Sequence, residues 1–151
     1  MDSNLLGYLN LFISIIAIII SVISLYRSSK SAKIANDIRM GQEELEIRKM
    51  ISAARRDFLD LAEKISDEEL DGKKIFLLQR FEAAKEDLAN VYDEACMKYL
   101  DGKIDKDRFK KSYNVEIRRM VEDPVFKDLY DKLSTNFQAT VKVYKEWNHS
   151  E

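Results

Sequence analysis

Six small or polar residues recur at fixed intervals near the start of this chain: Gly7, Asn10, Ser14, Ala17, Ser21 and Ser24, spaced 3, 4, 3, 4 and 3 apart. Residues three and four apart share one face of a helix, so the spacing makes a single stripe. Its chemistry is that of contact, not of bond breaking. Small side chains let helix backbones approach closely, and hydroxyls and amides hydrogen-bond across such a contact or line a wet passage. Ser28, Ser31 and Ala35 continue the register.

The stripe lies in a run, Leu5–Tyr26, that carries no charge. At about 1.5 Å per residue such a helix reaches about 33 Å, enough to cross a hydrocarbon core of about 30 Å. Fourteen of its residues are Leu, Ile, Val or Phe. At about −0.3 to −0.6 kcal/mol each they favour insertion by more than Asn10 and the serines oppose it. A cleavable signal peptide needs a basic start, but here the start is Met-Asp-Ser-Asn. Lipid tails solvate Leu and Ile on every side, so a plain anchor has no use for a stripe. The expectation is a membrane helix, in contact with lipids, that also packs against copies of itself.

Charge sets the expected orientation. Asp2 is the only ionisable side chain before the run, whereas Arg27, Lys30 and Lys33 follow it, with Arg39 beyond. Basic residues stay on the cytoplasmic side. Residues 1–4 are thus expected outside, 5–26 as the transmembrane helix, and the rest inside. Tyr8 and Tyr26 sit near the two ends, where aromatic rings favour the interface. The single Cys96 suits a reducing compartment. The expected location is a bacterial inner membrane, single-pass, with the C-terminal part cytoplasmic.

That part reads as all-α: a juxtamembrane long helix or stalk over 27–65, then a helical bundle over 66–151. After the run it holds only Gly41, Gly72, Gly102 and Pro124 as breakers, in a chain that is 34% charged. The stalk's apolar residues are Ile34, Ile38, Leu45, Ile51, Ala54, Phe58, Leu61 and Ile65. Gly41 is its weak point, at a cost of about 1 kcal/mol relative to Ala. If that cost is absorbed, span and stalk form one helix of about 60 residues. Ser66-Asp-Glu-Glu69 has capping-box spacing. A helix is expected over Lys73–Leu100, burying Leu77, Leu78, Phe81, Leu88, Val91, Tyr92, Ala95 and Tyr99. Asp71-Gly72 and Asp101-Gly102 read as helix-ending loops. Asp105 is the expected cap of a third helix through Phe109, Tyr113, Ile117 and Met120. Asp123-Pro124 is expected to start a last helix from Phe126 to Trp147.

Catalytic patterns are missing. With one His and one Cys the chain has no metal cluster of those residues and no nucleophile–base pair, and its glycines are scattered singly. No enzyme activity, cofactor or metal is expected. Glu43-Glu44 and Asp67-Glu68-Glu69 read as solvated helix faces, with Glu44–Arg48 as an i,i+4 pair. Basic pairs occur at Arg55-Arg56, Lys110-Lys111 and Arg118-Arg119, but the net charge is −2 and acids interleave. Direct nucleic-acid binding is not expected.

The span Leu5–Tyr26 with its exit Arg27-Ser-Ser-Lys30, and the segment Tyr99-Leu-Asp-Gly-Lys-Ile104 leading to Phe109 and Tyr113, resemble the small membrane accessory protein of type VI-B CRISPR systems. The resemblance covers the N-terminus and about fifteen residues of the bundle. It implies a ring-shaped pore in the inner membrane that supports antiphage defence by an RNA-guided ribonuclease, with that effector or its products as partner. An Arg–His helical-nuclease motif is absent: the only histidine, His149, follows Lys142, Val143 and Tyr144 at the positions the Arg would occupy. Two functions remain open on the residues themselves. One is a homo-oligomeric pore of six or more copies, lined or packed by the stripe. The other is a non-conducting, membrane-tethered adaptor whose bundle binds a cytoplasmic protein.

Overall fold

The computed structural model describes residues 3–67, 73–131 and 135–148. Their regular structure is entirely helical: α1 (Ser3–Asp67), α2 (Lys73–Leu100), α3 (Lys106–Glu122), α4 (Lys127–Tyr130) and α5 (Gln138–Asn148). The protein is all-α. The chain divides into two compact units, Met1–Arg39 and Met40–Glu151.

The first unit is the N-terminal part of α1, and every side chain described in it is exposed. Helical assignment continues through Gly41, where an added Cβ would meet nothing. No packing demands glycine there, so the residue is tolerated within the helix.

The second unit begins at Met40, not at Ser66, because the later part of α1 belongs to the core. Ile47 and Ile51 are buried with Leu88, Tyr92, Cys96 and Tyr99 of α2, Phe109, Ile117 and Met120 of α3, and Val143 and Trp147 of α5. Phe58 of α1 stacks on Phe81 and Phe126, at ring distances of 4.9 and 5.4 Å. The single apolar line expected along the stalk is two lines. Six residues separate Leu45 from Ile51, about 240° around a helix, so they cannot share a face. Ile47 takes the buried phase instead, and Ile34, Ile38 and Leu45 stay exposed. On α2, Leu78 is likewise exposed, while Ala84, Ala89 and Cys96 are buried.

Caps close the helices. After α2 the Lys103 N–H donates to the Lys98 carbonyl at 3.0 Å, and the Gly102 N–H to the Tyr99 carbonyl at 3.1 Å. This 6→1 and 5→2 pair requires a left-handed residue, which Gly102 supplies at φ 67°. Ile104 then turns inward and is buried. Asp105 caps α3 by accepting from the Arg108 N–H at 2.9 Å. The Asp71-Gly72 loop and most of the Ser66–Glu69 cap fall outside the described residues.

The expected last helix is broken. Asp123 accepts from the Val125 N–H at 2.9 Å and holds a turn, α4 is a single turn that ends at Tyr130, and α5 begins at Gln138. Thr135 holds the approach to α5 out of the helix. Its hydroxyl donates to the Leu129 carbonyl at 2.7 Å and accepts from the Phe137 N–H at 3.1 Å, an alternative to helical bonding. The start of α5 is capped from another helix: Asp93 Oδ1 accepts from the Thr140 N–H at 2.8 Å and its hydroxyl at 3.0 Å.

Polar groups bind the bundle as well. Arg55 of α1 pairs with Glu116 of α3 at 2.8 Å, and Glu116 accepts from the Tyr92 hydroxyl at 2.6 Å. Glu43 pairs with Lys98 at 2.8 Å. Glu44 does not take up the expected pair with Arg48. It accepts instead from Arg108 at 3.1 Å and from the Asp105 N–H at 3.2 Å. Lys85 is buried at 4% exposure between Glu82 and Asp128. Burial works to lower its pKa, but the bonds and charges of the two carboxylates prevail and raise it.

Candidate functional site

The stretch of α1 from Gly7 to Tyr26 is long and apolar enough to cross a membrane, and none of its most apolar window is buried inside the chain. It is therefore not the core helix of this fold. Ile13, Ile16, Ile20 and Ile23 face outward with no cover from their own chain. A continuous apolar surface of this extent needs lipid or another protein against it.

Helical geometry brings Gly7, Asn10, Ser14, Ala17, Ser21 and Ser24 onto one face, all of them exposed. A Cβ at Gly7 would meet nothing within the chain, so the small size there serves no contact of the monomer. Two of the serines bond within the helix. Ser14 donates its hydroxyl to the Asn10 carbonyl at 2.8 Å, and Ser21 donates to the Ala17 carbonyl at 2.8 Å. Spacing alone does not reveal this. It changes the chemistry of the stripe, because both hydroxyl protons are satisfied without water or a partner helix. Asn10 differs: its amide brings two N–H donors and one acceptor to the same face.

Arg27, Lys30 and Lys33 follow as exposed side chains. No ion pair involves them among the described residues. Further on, Ile34 and Ile38 are 50% and 57% exposed. They form a solvent-facing apolar edge just beyond the basic cluster. The signal that finds it is phase, since Ile38 follows Ser24 and Ser31 at seven-residue steps.

The bundle carries two open grooves among the described residues. An open groove of about 380 Å³ is lined by Asp57, Asp60, Lys64, Arg80 and Asp87 over Ala54 and Ala84. A second, of about 170 Å³, lies over Phe58, Leu88, Met120 and Phe126 beside the Arg55–Glu116 pair. No group of three or more His, Cys, Asp or Glu that could hold a metal occurs among the described residues. Cys96 is fully buried, and burial pushes its thiol up to about 12, far from a reactive thiolate. His149 lies outside the described residues. Apart from the exposed Phe76, the described aromatics of the bundle pack inward: Trp147 donates to the Tyr99 hydroxyl at 3.1 Å and meets that ring edge-on at 5.4 Å. No protein-family model, no curated protein and no solved structure matches this chain.

Proposed function

We propose that this chain is a single-pass membrane protein that assembles through its stripe into a ring of more than two copies, and that the ring permeabilises the membrane. The observation that carries the reading is the stripe. Gly7, Asn10, Ser14, Ala17, Ser21 and Ser24 interrupt a run of large aliphatic and aromatic residues on one face only. A polar group in hydrocarbon costs several kcal/mol unless partnered, and Asn10 keeps more hydrogen-bonding capacity than its own helix turn absorbs. Copies around a lumen offer it water. Arg27, Lys30 and Lys33 hold the basic end, and with it the bundle, on the cytoplasmic side of a bacterial inner membrane. A role in antiphage defence beside an RNA-guided ribonuclease rests on the sequence resemblance alone.

The test is conductance. Purified full-length protein in a planar bilayer is expected to give discrete current steps, and Asn10→Leu with Ser14→Leu is expected to reduce them. Silent bilayers, with and without activated effector present, refute the pore.

One observation favours the tethered adaptor. The hydroxyl protons of Ser14 and Ser21 are already bonded to Asn10 and Ala17, so a dry seam between two helices leaves them satisfied. In that reading the small residues serve close packing only. Silent bilayers from a stable dimer select it.

A further inference from the structure

We infer that the solvated helix beyond the span, from Ser28 to Ile38, packs in parallel and in register against a second copy of this chain. The inference rests on the membrane insertion proposed above, which points every copy the same way. It adds a contact outside the bilayer, in a segment with no hydrocarbon to excuse an apolar face.

Three observations carry it. Ile34 and Ile38 are half exposed to water on a helix whose own unit covers neither. Ser28, Ser31, Ala35 and Ile38 keep the 3,4 spacing of a heptad seam, and in sequence Gln42 and Leu45 prolong it. The third is charge. From Arg27 to Lys49, ten of 23 residues are charged, yet those six seam positions are not, and Lys49 is the first charge met in the register.

Charge exclusion chooses the occupant. In a parallel, in-register pair each seam residue faces its own copy, so any charge there would meet an identical charge. A different partner protein could match a seam charge with its opposite, and would impose no such exclusion. Asp37 lies on the opposite face, clear of the contact. Arg39 borders the seam, and its guanidinium donates to Asn36 Oδ1 at 2.8 Å in its own helix. A strict seven-residue repeat lags an ideal helix by about 20° per two turns, so the joined helices wind left-handed. Packing Ile38 against its copy supplies apolar burial that the small residues of the stripe cannot.

Cysteine scanning of the full-length protein in membrane vesicles tests the seam. The buried native Cys96 leaves a quiet background. Under mild oxidation Ser31→Cys, Ala35→Cys and Ile38→Cys are expected to form disulfide-linked dimers in high yield. Ser29→Cys and Asp37→Cys, on the opposite face, are expected to form few. Equal yields at all five sites, or maxima at Ser29 and Asp37, overturn the seam. The conductance test separates this from the pore. Register-dependent crosslinking with silent bilayers leaves the seam standing without a pore, and conduction with uniform crosslinking leaves a pore without this seam.

Discussion

The Ser14 hydroxyl reaches back one helical turn and donates to the Asn10 carbonyl oxygen at 2.8 Å. Ser21 does the same to Ala17. What these positions present to a neighbour is therefore small volume more than hydrogen-bonding capacity. Ser14→Ala with Ser21→Ala is expected to leave assembly intact. Ser14→Leu with Ser21→Leu is expected to weaken it by about 1 kcal/mol or more, since single interhelical polar contacts are worth only about 0.6 kcal/mol and close backbone approach carries the rest. Ile15→Leu and Ile19→Leu, on other faces, serve as controls. Sedimentation in matched detergent reads the difference. Equal loss in the Ala and Leu pairs would show that the hydroxyls themselves hold the contact.

The proposed topology rests on the basic residues Arg27, Lys30 and Lys33 after the span. A reporter active only in the cytoplasm, fused after Glu151, is expected to be active. Carrying charge to the other end with Asp2→Lys and Asn4→Lys, together with Arg27→Asn and Lys30→Asn, is expected to mix or invert the orientation. An external location of the C-terminus in the unaltered chain would contradict the placement of the bundle.

The bundle carries a built-in titration. Burial pushes the Cys96 thiol up to about 12 from an ordinary value of 9.0, against a hydrogen bond with Thr140 and with the Asp93 charge adding to the rise. Tyr92 and Tyr130 are also raised, first by burial. The folded pKa lies above the unfolded one, so the stability is whole below pH 9 and is lost as pH climbs toward 12. Melting temperature is expected to fall between about pH 9 and pH 10.5, and iodoacetamide to modify Cys96 only as the bundle unfolds. Cys96→Ala should cost about 1 kcal/mol at the lower pH but flatten the slope. A slope unchanged by Cys96→Ala would place the thiol outside the core.

Much of this fold is legible in the sequence. The bounds Lys73–Leu100 of α2, its stop at Asp101-Gly102 and the Asp105 cap all follow from local chemistry, and the structure has them there. What escapes is set from a distance or by phase. Asp93 caps α5 across 47 residues, and no local pattern announces that. The break before α5 depends on which partners the Thr135 hydroxyl finds. Lys85 is buried because Glu82 and Asp128 converge on it from two helices. Along α1 a list of apolar residues does not say which face each one takes, so Ile38 and Leu45, which stay exposed, stand in one line with the buried Ile51, and the buried Ile47 is missing from it. The stripe itself is read from spacing alone. The back-bonding of its serines is a matter of rotamer, which spacing does not carry.

Pore formation requires that copies of this chain assemble through one face of α1 into more than a dimer. Native mass measurement of the full-length protein in lipid nanodiscs tests it most directly. A single closed assembly of more than two chains is expected, falling to smaller species on Ser14→Leu with Ser21→Leu but not with Ile15→Leu. A monomer or a stable dimer across the accessible protein-to-lipid ratios would contradict it.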